Sequence, residues 1–274
     1  YVAAYPTEPE GLVELWRERA SALRVYAPPR ELRGLSGLRR VRDLVDEVLP
    51  RCGRGLDVRI VVADLDGADG DIHGAPGTTF ERTVAFEAPD FGDVRTRCRL
   101  IDAAVASSAL PLVFEPEGAW LDGGVLNNAP IKEALQGSTV DRVFVISTFP
   151  RVFPCRPPRT LNHLVEVVLN ERLYRDLREV HAVNAVLTAI DRFDLGPTIL
   201  GALGWLGRRV VEVVDIRPEA PLEGSLLAGF FDRRLRERYI EEGRVAARRA
   251  LERAPTVERA VALARARRAA ELRS

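Results

Sequence analysis

Asp122 follows the apolar pair Trp120-Leu121 and precedes Gly123-Gly124. Two glycines let the backbone turn sharply and leave no side chain to block approach to the carboxylate. An aspartate that is partly removed from water holds its proton more tightly and can serve as a general base. An Asp-Gly pair on its own also makes an ordinary loop turn, so the neighbours decide its weight. Upstream stand Ala106-Ser107-Ser108-Ala109-Leu110-Pro111, then Phe114 and Pro116. Downstream stand Asn127-Asn128-Ala129-Pro130.

Several elements must hold this window in place. Val58–Ala63 and Arg142–Ser147 are short apolar runs rich in β-branched residues, and both predict buried central strands of one sheet. Residues 83–87 predict a returning strand after a Gly- and Asp-rich turn at 67–77. The small apolar run Leu100–Ala109 predicts a closely packed helix, and Pro130 opens another that runs to Gln136. Helices are also predicted at 8–27, 37–49, 161–192 and 228–251, with one more strand at Val210–Ile216. The alternation of strand and helix predicts a layered α/β sheet rather than a bundle.

Composition narrows the function classes. The 274 residues are 46% hydrophobic, enough to fill a sizeable core, and 40 basic residues balance 40 acidic ones. That balance advertises no nucleic-acid partner. Cys52, Cys98 and Cys155 form no zinc pattern and no disulfide framework, which fits a reducing compartment. His73, His163 and His181 show no metal spacing. The run Asp64–Asp71 fails the calcium-loop template, with Ala68 at the fifth position and Asp69 at the sixth. No metal and no cofactor is expected. No apolar run reaches the ~18 residues of a membrane span.

The window around Asp122 resembles the patatin-like phospholipase family. In that family a run of the form A-S-x-A-x-P-x-x-F precedes D-G-G or D-G-A and then N-x-P. The resemblance extends outward to Val58–Asp64, to Arg142–Ser147 and to the segment from Gly37 to Leu49. It implies a three-layer α/β/α sandwich with a mostly parallel central sheet. Residues 1–150 would be the remainder of the catalytic domain, and 151–274 a mostly helical part packed on it. It also implies a lipid or acyl-ester substrate, hydrolysed by a Ser–Asp dyad without histidine. Asp122 takes the role of base, Gly123 and Gly124 wall the cleft with backbone, and Asn127 or Asn128 braces the loop that carries Asp122.

One part of the family pattern is missing. No G-x-S-x-G, the elbow that would present the serine, occurs in the sequence. Gly34-Leu35-Ser36-Gly37 has the wrong spacing, and Ser107 and Ser108 belong to a packing helix. The sequence has no methionine, and Tyr1–Tyr5 resembles the tail of the helix after the elbow. The expectation is a chain truncated at its N-terminus, holding half of the dyad and inactive by itself. The alternative is a non-catalytic lipid-binding or interaction module that kept the fold and lost the nucleophile. The expected location is cytoplasmic or peripheral to a membrane. Two segments could touch lipid: the apolar stretch 195–207, and the stretch 232–273, which holds 13 Arg against 7 acidic residues. For the second, a solvated helix face is the plainer expectation.

Overall fold

The computed structural model describes residues 4–5, 8, 10–29, 34–66, 80–127, 129–135, 140–150, 161–192, 209–224 and 228–253, with backbone alone at 161–169 and 191–192. In chain order the elements are α1 (Glu10–Glu14), α2 (Ala22–Val25), α3 (Arg39–Val48), β1 (Val58–Asp64), β2 (Glu81–Phe86), α4 (Val94–Ala106) and β3 (Trp120–Asp122). Then follow α5 (Gly124–Asn127), α6 (Ile131–Leu135), β4 (Arg142–Ile146), α7 (Leu161–Arg192), β5 (Glu212–Ile216), α8 (Ala228–Phe231) and α9 (Arg233–Arg253).

β1 is the middle strand of a three-stranded sheet in the order β2-β1-β3. Both pairings are antiparallel: Val62 faces Arg82 on one side and Asp122 on the other. Directly opposed residues share a face, and faces alternate along a strand. Val58, Ile60, Val62 and Asp122 therefore lie on one face, and Arg59, Val61, Ala63 and Glu81 on the other. The first face packs on α3 and α4 in the main core, where Val62, Ala103, Val105 and Ala106 have no exposed surface. Burying one such valine contributes roughly 1.5–3 kcal/mol. On the second face, Arg59 donates to the Glu133 carbonyl of α6. Helices thus cover both faces of β1, in a mixed α/β arrangement.

The expected mostly parallel single sheet is corrected. β4 does not join β1. It pairs in parallel with β5 in a separate two-stranded sheet, with Arg142 opposite Glu212 and Ile146 opposite Ile216. Among the described residues β4 is therefore an edge strand. Its Val145 is buried against Leu173 and Leu177 of α7, while Phe144 and Ile146 face solvent. An all-apolar run marks a strand, but its partner is chosen by packing far along the chain, which the run does not encode.

Helix boundaries carry two further corrections. The helix expected at 8–27 is broken. Leu15–Arg19 winds as a π-helical turn closed by Ala20 N to Leu15 O at 3.2 Å, and α2 starts afresh after Ser21. Trp16 thereby meets Phe230 at 6.1 Å between ring centres. The helix expected at Leu100–Ala109 starts earlier and ends at Ala106. Asp93 caps it, its side chain accepting from Thr96 N at 2.9 Å. Buried Arg97 ties α4 to α3 through Asp46 Oδ1, with Nη2 at 2.7 Å and Nε at 3.0 Å. The expected turn at 67–77 and the apolar stretch 195–207 lie outside the described residues.

Candidate active site

Asp122 closes β3, and two backbone bonds hold it there. Its own N–H donates to the Ala109 carbonyl at 3.2 Å, just past the end of α4. Its Oδ1 accepts from Gly124 N at 2.7 Å. Burial pushes its carboxyl above the ordinary aspartate value of 3.8, and the Gly124 bond only partly opposes this. Among the described residues no Arg or Lys forms an ion pair with it. The carboxylate is thus desolvated and fixed at one oxygen, and the other has no partner among the described residues.

Gly123 is required by its neighbours rather than by its φ. A Cβ there would collide with the Val61 carbonyl and stand 2.8 Å from Val62 N. The backbone of β1 and the turn after Asp122 lie in direct contact, which sets the height of the carboxylate over the sheet. Gly124 begins α5, whose first turn closes with Asn127 N to Gly123 O at 2.8 Å.

The Asn127 side chain turns away from the Asp122 loop. It is 2% exposed, and its Nδ2 donates to Glu81 Oε1 at 2.7 Å and Glu133 Oε2 at 3.1 Å. Arg172 of α7 adds an ion pair to Glu81 at 2.9 Å. Burial, with the adjacent Glu81 carboxyl, pushes Glu133 above the ordinary glutamate range. Nearby Asp176 is raised by burial, opposed by Lys132 and Arg172. This network lies on the face of β1 opposite Asp122, and nothing in the sequence joined its members. Asn128 lies outside the described residues.

On the Asp122 face a cavity of about 310 Å³ opens between α1, α3, α4 and β1. Leu12, Leu15, Leu44, Val58, Ile60 and Leu100 contribute to its apolar wall, and Asp122 does not.

Three of the described serines bond to local backbone. Ser36 is 1% exposed; its Oγ accepts from Ala27 N at 2.8 Å and donates to Ala27 O at 2.9 Å. Ser108 Oγ donates to Ala104 O at 2.9 Å, and Ser147 Oγ accepts from Phe149 N at 3.2 Å. Ser138, Ser225 and Ser274 lie outside the described residues. Among the described residues no group of His, Cys, Asp and Glu could hold a metal ion, and no helix is long and apolar enough to cross a membrane.

Helices on both faces of an antiparallel sheet, with a desolvated carboxylate at a strand end, define a mixed α/β domain. Residues 6–135 match the patatin-like phospholipase family. The family is one of lipid acyl hydrolases. No curated protein matches the chain.

Proposed function

We infer that the chain carries the base of a lipid acyl ester hydrolase, with Asp122 as the proton acceptor of a Ser–Asp dyad. The observation that supports this best is the desolvated carboxyl of Asp122, which has no ion-pair partner among the described residues and lies inside the family-matched segment. A buried carboxyl without a cation costs stability, and such a cost is commonly met at a site where the group reacts.

Each step has a place for this residue. Asp122 accepts the serine proton as Oγ attacks the ester carbonyl. The resulting oxyanion needs N–H donors. Collapse of the tetrahedral adduct expels the alcohol, which takes the proton back from Asp122, and leaves an acyl-enzyme. Water then attacks the acyl group, Asp122 takes its proton, and the returning proton releases serine and the carboxylic acid. Gly124 N holds one oxygen of Asp122 throughout, leaving the other for the proton. No G-x-S-x-G occurs in the 274 residues, so the dyad reading assigns its serine to no residue of this sequence.

The same absence favours a second reading, a lipid-binding module without chemistry, for which the apolar cavity offers room. A p-nitrophenyl ester assay separates them on three proteins: the chain alone, the chain joined to a family segment bearing G-x-S-x-G, and that joined chain with Asp122→Asn. Turnover is expected only in the second. Turnover by the chain alone, or an undiminished rate after Asp122→Asn, assigns the chemistry elsewhere. No turnover in any of them favours the binding module.

A further inference from the structure

Leu35 and Leu112 are 82% and 79% exposed, and a backbone hydrogen bond links the two residues. Leu35 N donates to Leu112 O at 3.3 Å, Ser36 N to Val113 O at 2.8 Å, and Glu115 N to Ser36 O at 3.0 Å. Gly34 lies flush on the same strand: a Cβ there would stand 2.5 Å from Phe114 C and 2.7 Å from Glu115 N. On the other side Gly37 N donates to Ala27 O at 2.9 Å. These fastenings hold both leucines out in water on a rigid ridge.

Leu112 carries two costs at once. Its φ is +70°, in the left-handed region where Cβ crowds the following carbonyl. Its apolar side chain also stays solvated. A scattered surface leucine needs no explanation, but a strained one fastened beside a second exposed leucine does. Position supplies it. Three residues before Leu112, the Ala109 carbonyl holds Asp122 N. The ridge therefore grows from the same loop that seats the carboxylate.

The flanks are cationic. Exposed Arg24 adjoins exposed Leu23, and exposed Arg39 lies four residues after Leu35. Neither has an acidic partner among the described residues. A protein partner would need roughly 800 Å² of packed face per side, and two protruding tips do not offer it. Apolar tips with arginines beside them match a bilayer, with acyl chains below and anionic headgroups at the rim.

We propose that Leu35 and Leu112 form a rigid wedge that enters an anionic lipid surface, with Arg24 and Arg39 on the headgroup phosphates. Its purpose, bringing the Asp122 loop to its ester, rests on the hydrolase reading; the binding itself does not.

The test is co-sedimentation of the chain with vesicles of phosphatidylcholine containing phosphatidylglycerol, and of phosphatidylcholine alone. The chain binds the anionic vesicles more tightly. Leu35→Ser and Leu112→Ser each weaken that binding about tenfold, and Arg24→Gln and Arg39→Gln about fivefold each. Leu112→Gly removes the side chain while relieving the backbone, so it loses binding without losing stability, which separates lipid contact from damage to the fold. Asp122→Asn binds vesicles as well as the parent, so failure of the hydrolase reading leaves this result standing. Unchanged vesicle binding by the Leu35→Ser/Leu112→Ser double variant overturns the proposal. So does a parent chain that ignores vesicles but self-associates through these leucines in sedimentation.

Discussion

The two faces of β1 treat carboxylates in opposite ways. On one, Glu81 and Glu133 share the two protons of the Asn127 amide, and Arg172 adds a counter-charge at Glu81. On the other, Asp122 meets one backbone N–H and no cation among the described residues. Both sets are withdrawn from water, but only the first is compensated. A network of donors and acceptors serves the fold, tying β2, α5, α6 and α7 together. A carboxyl left without a counter-charge weakens the fold, and it retains an open oxygen that can take a proton.

The strongest test of that division is steric. Gly123→Ala presses a methyl into the Val61–Val62 backbone, between the two faces, and neither backbone can yield. A loss of about 3 kcal/mol in urea unfolding is expected, the upper end for overpacking. A smaller effect, under about 1 kcal/mol, would mean that the turn after Asp122 is not pinned to β1.

Next comes Asn127→Ala, which strips both glutamates of their shared donor. Hydrogen bonds to charged groups contribute roughly 1.5–3 kcal/mol, and a loss in that range is expected. The sign of its pH dependence follows from Glu133. Its folded pKa is already raised, so its contribution to stability is full below the ordinary value of 4.5 and is lost as pH rises through the folded value. Removing the amide that favours the ionised form deepens that loss, so the variant should be weakest, relative to the parent, at neutral pH. Equal destabilisation at pH 3 and pH 7 would remove Glu133 from the account.

Ser36→Ala should cost about 1 kcal/mol, since Ala27 loses a donor and an acceptor in a buried place. In the chain joined to a G-x-S-x-G segment its rate should be unchanged; a rate loss without unfolding would make Ser36 more than a fastening.

The smallest shift in stability is expected at Asp122 itself. Its folded pKa lies above 3.8, so its contribution is full below that value and is lost as pH rises through the folded value. Asp122→Asn keeps the oxygen that accepts from Gly124 and removes the buried charge. The variant should melt slightly higher than the parent at pH 7 and equally at pH 3, while the chain joined to a G-x-S-x-G segment loses its activity. A lower melting point at pH 7 would mean that the charge is compensated after all.

Much of the Asp122 side was legible in the sequence, because local pattern sets it. Val58–Ala63 reads as a strand from its branched residues, and Trp120-Leu121-Asp122-Gly123-Gly124 reads as a strand end from its glycines. The other side was not. Glu81, Asn127, Glu133 and Arg172 come from four elements and meet only after folding, so no spacing announces them. Asn127 or Asn128 was expected to hydrogen-bond the loop that carries Asp122; Asn127 reaches Gly123 O through its backbone N–H, while its side chain joins Glu81 and Glu133. The sheet partner of β4 was hidden for a related reason, since pairing in parallel with β5 depends on how α7 packs beneath them. Leu112 was the hardest to foresee, because a leucine in the left-handed region contradicts its own preference.

The cavity beneath α3 has a consequence for mechanical softness. Its lining is apolar, so water in its deeper part finds few partners there. Unfolding eliminates such empty volume, so hydrostatic pressure favours the unfolded side. Leu12 and Leu15 wall the space from the broken N-terminal helix, which is held by one π-helical turn. Compression should therefore lift that segment first, at pressures the packed sheet withstands, and xenon gas, by filling the space, should delay it.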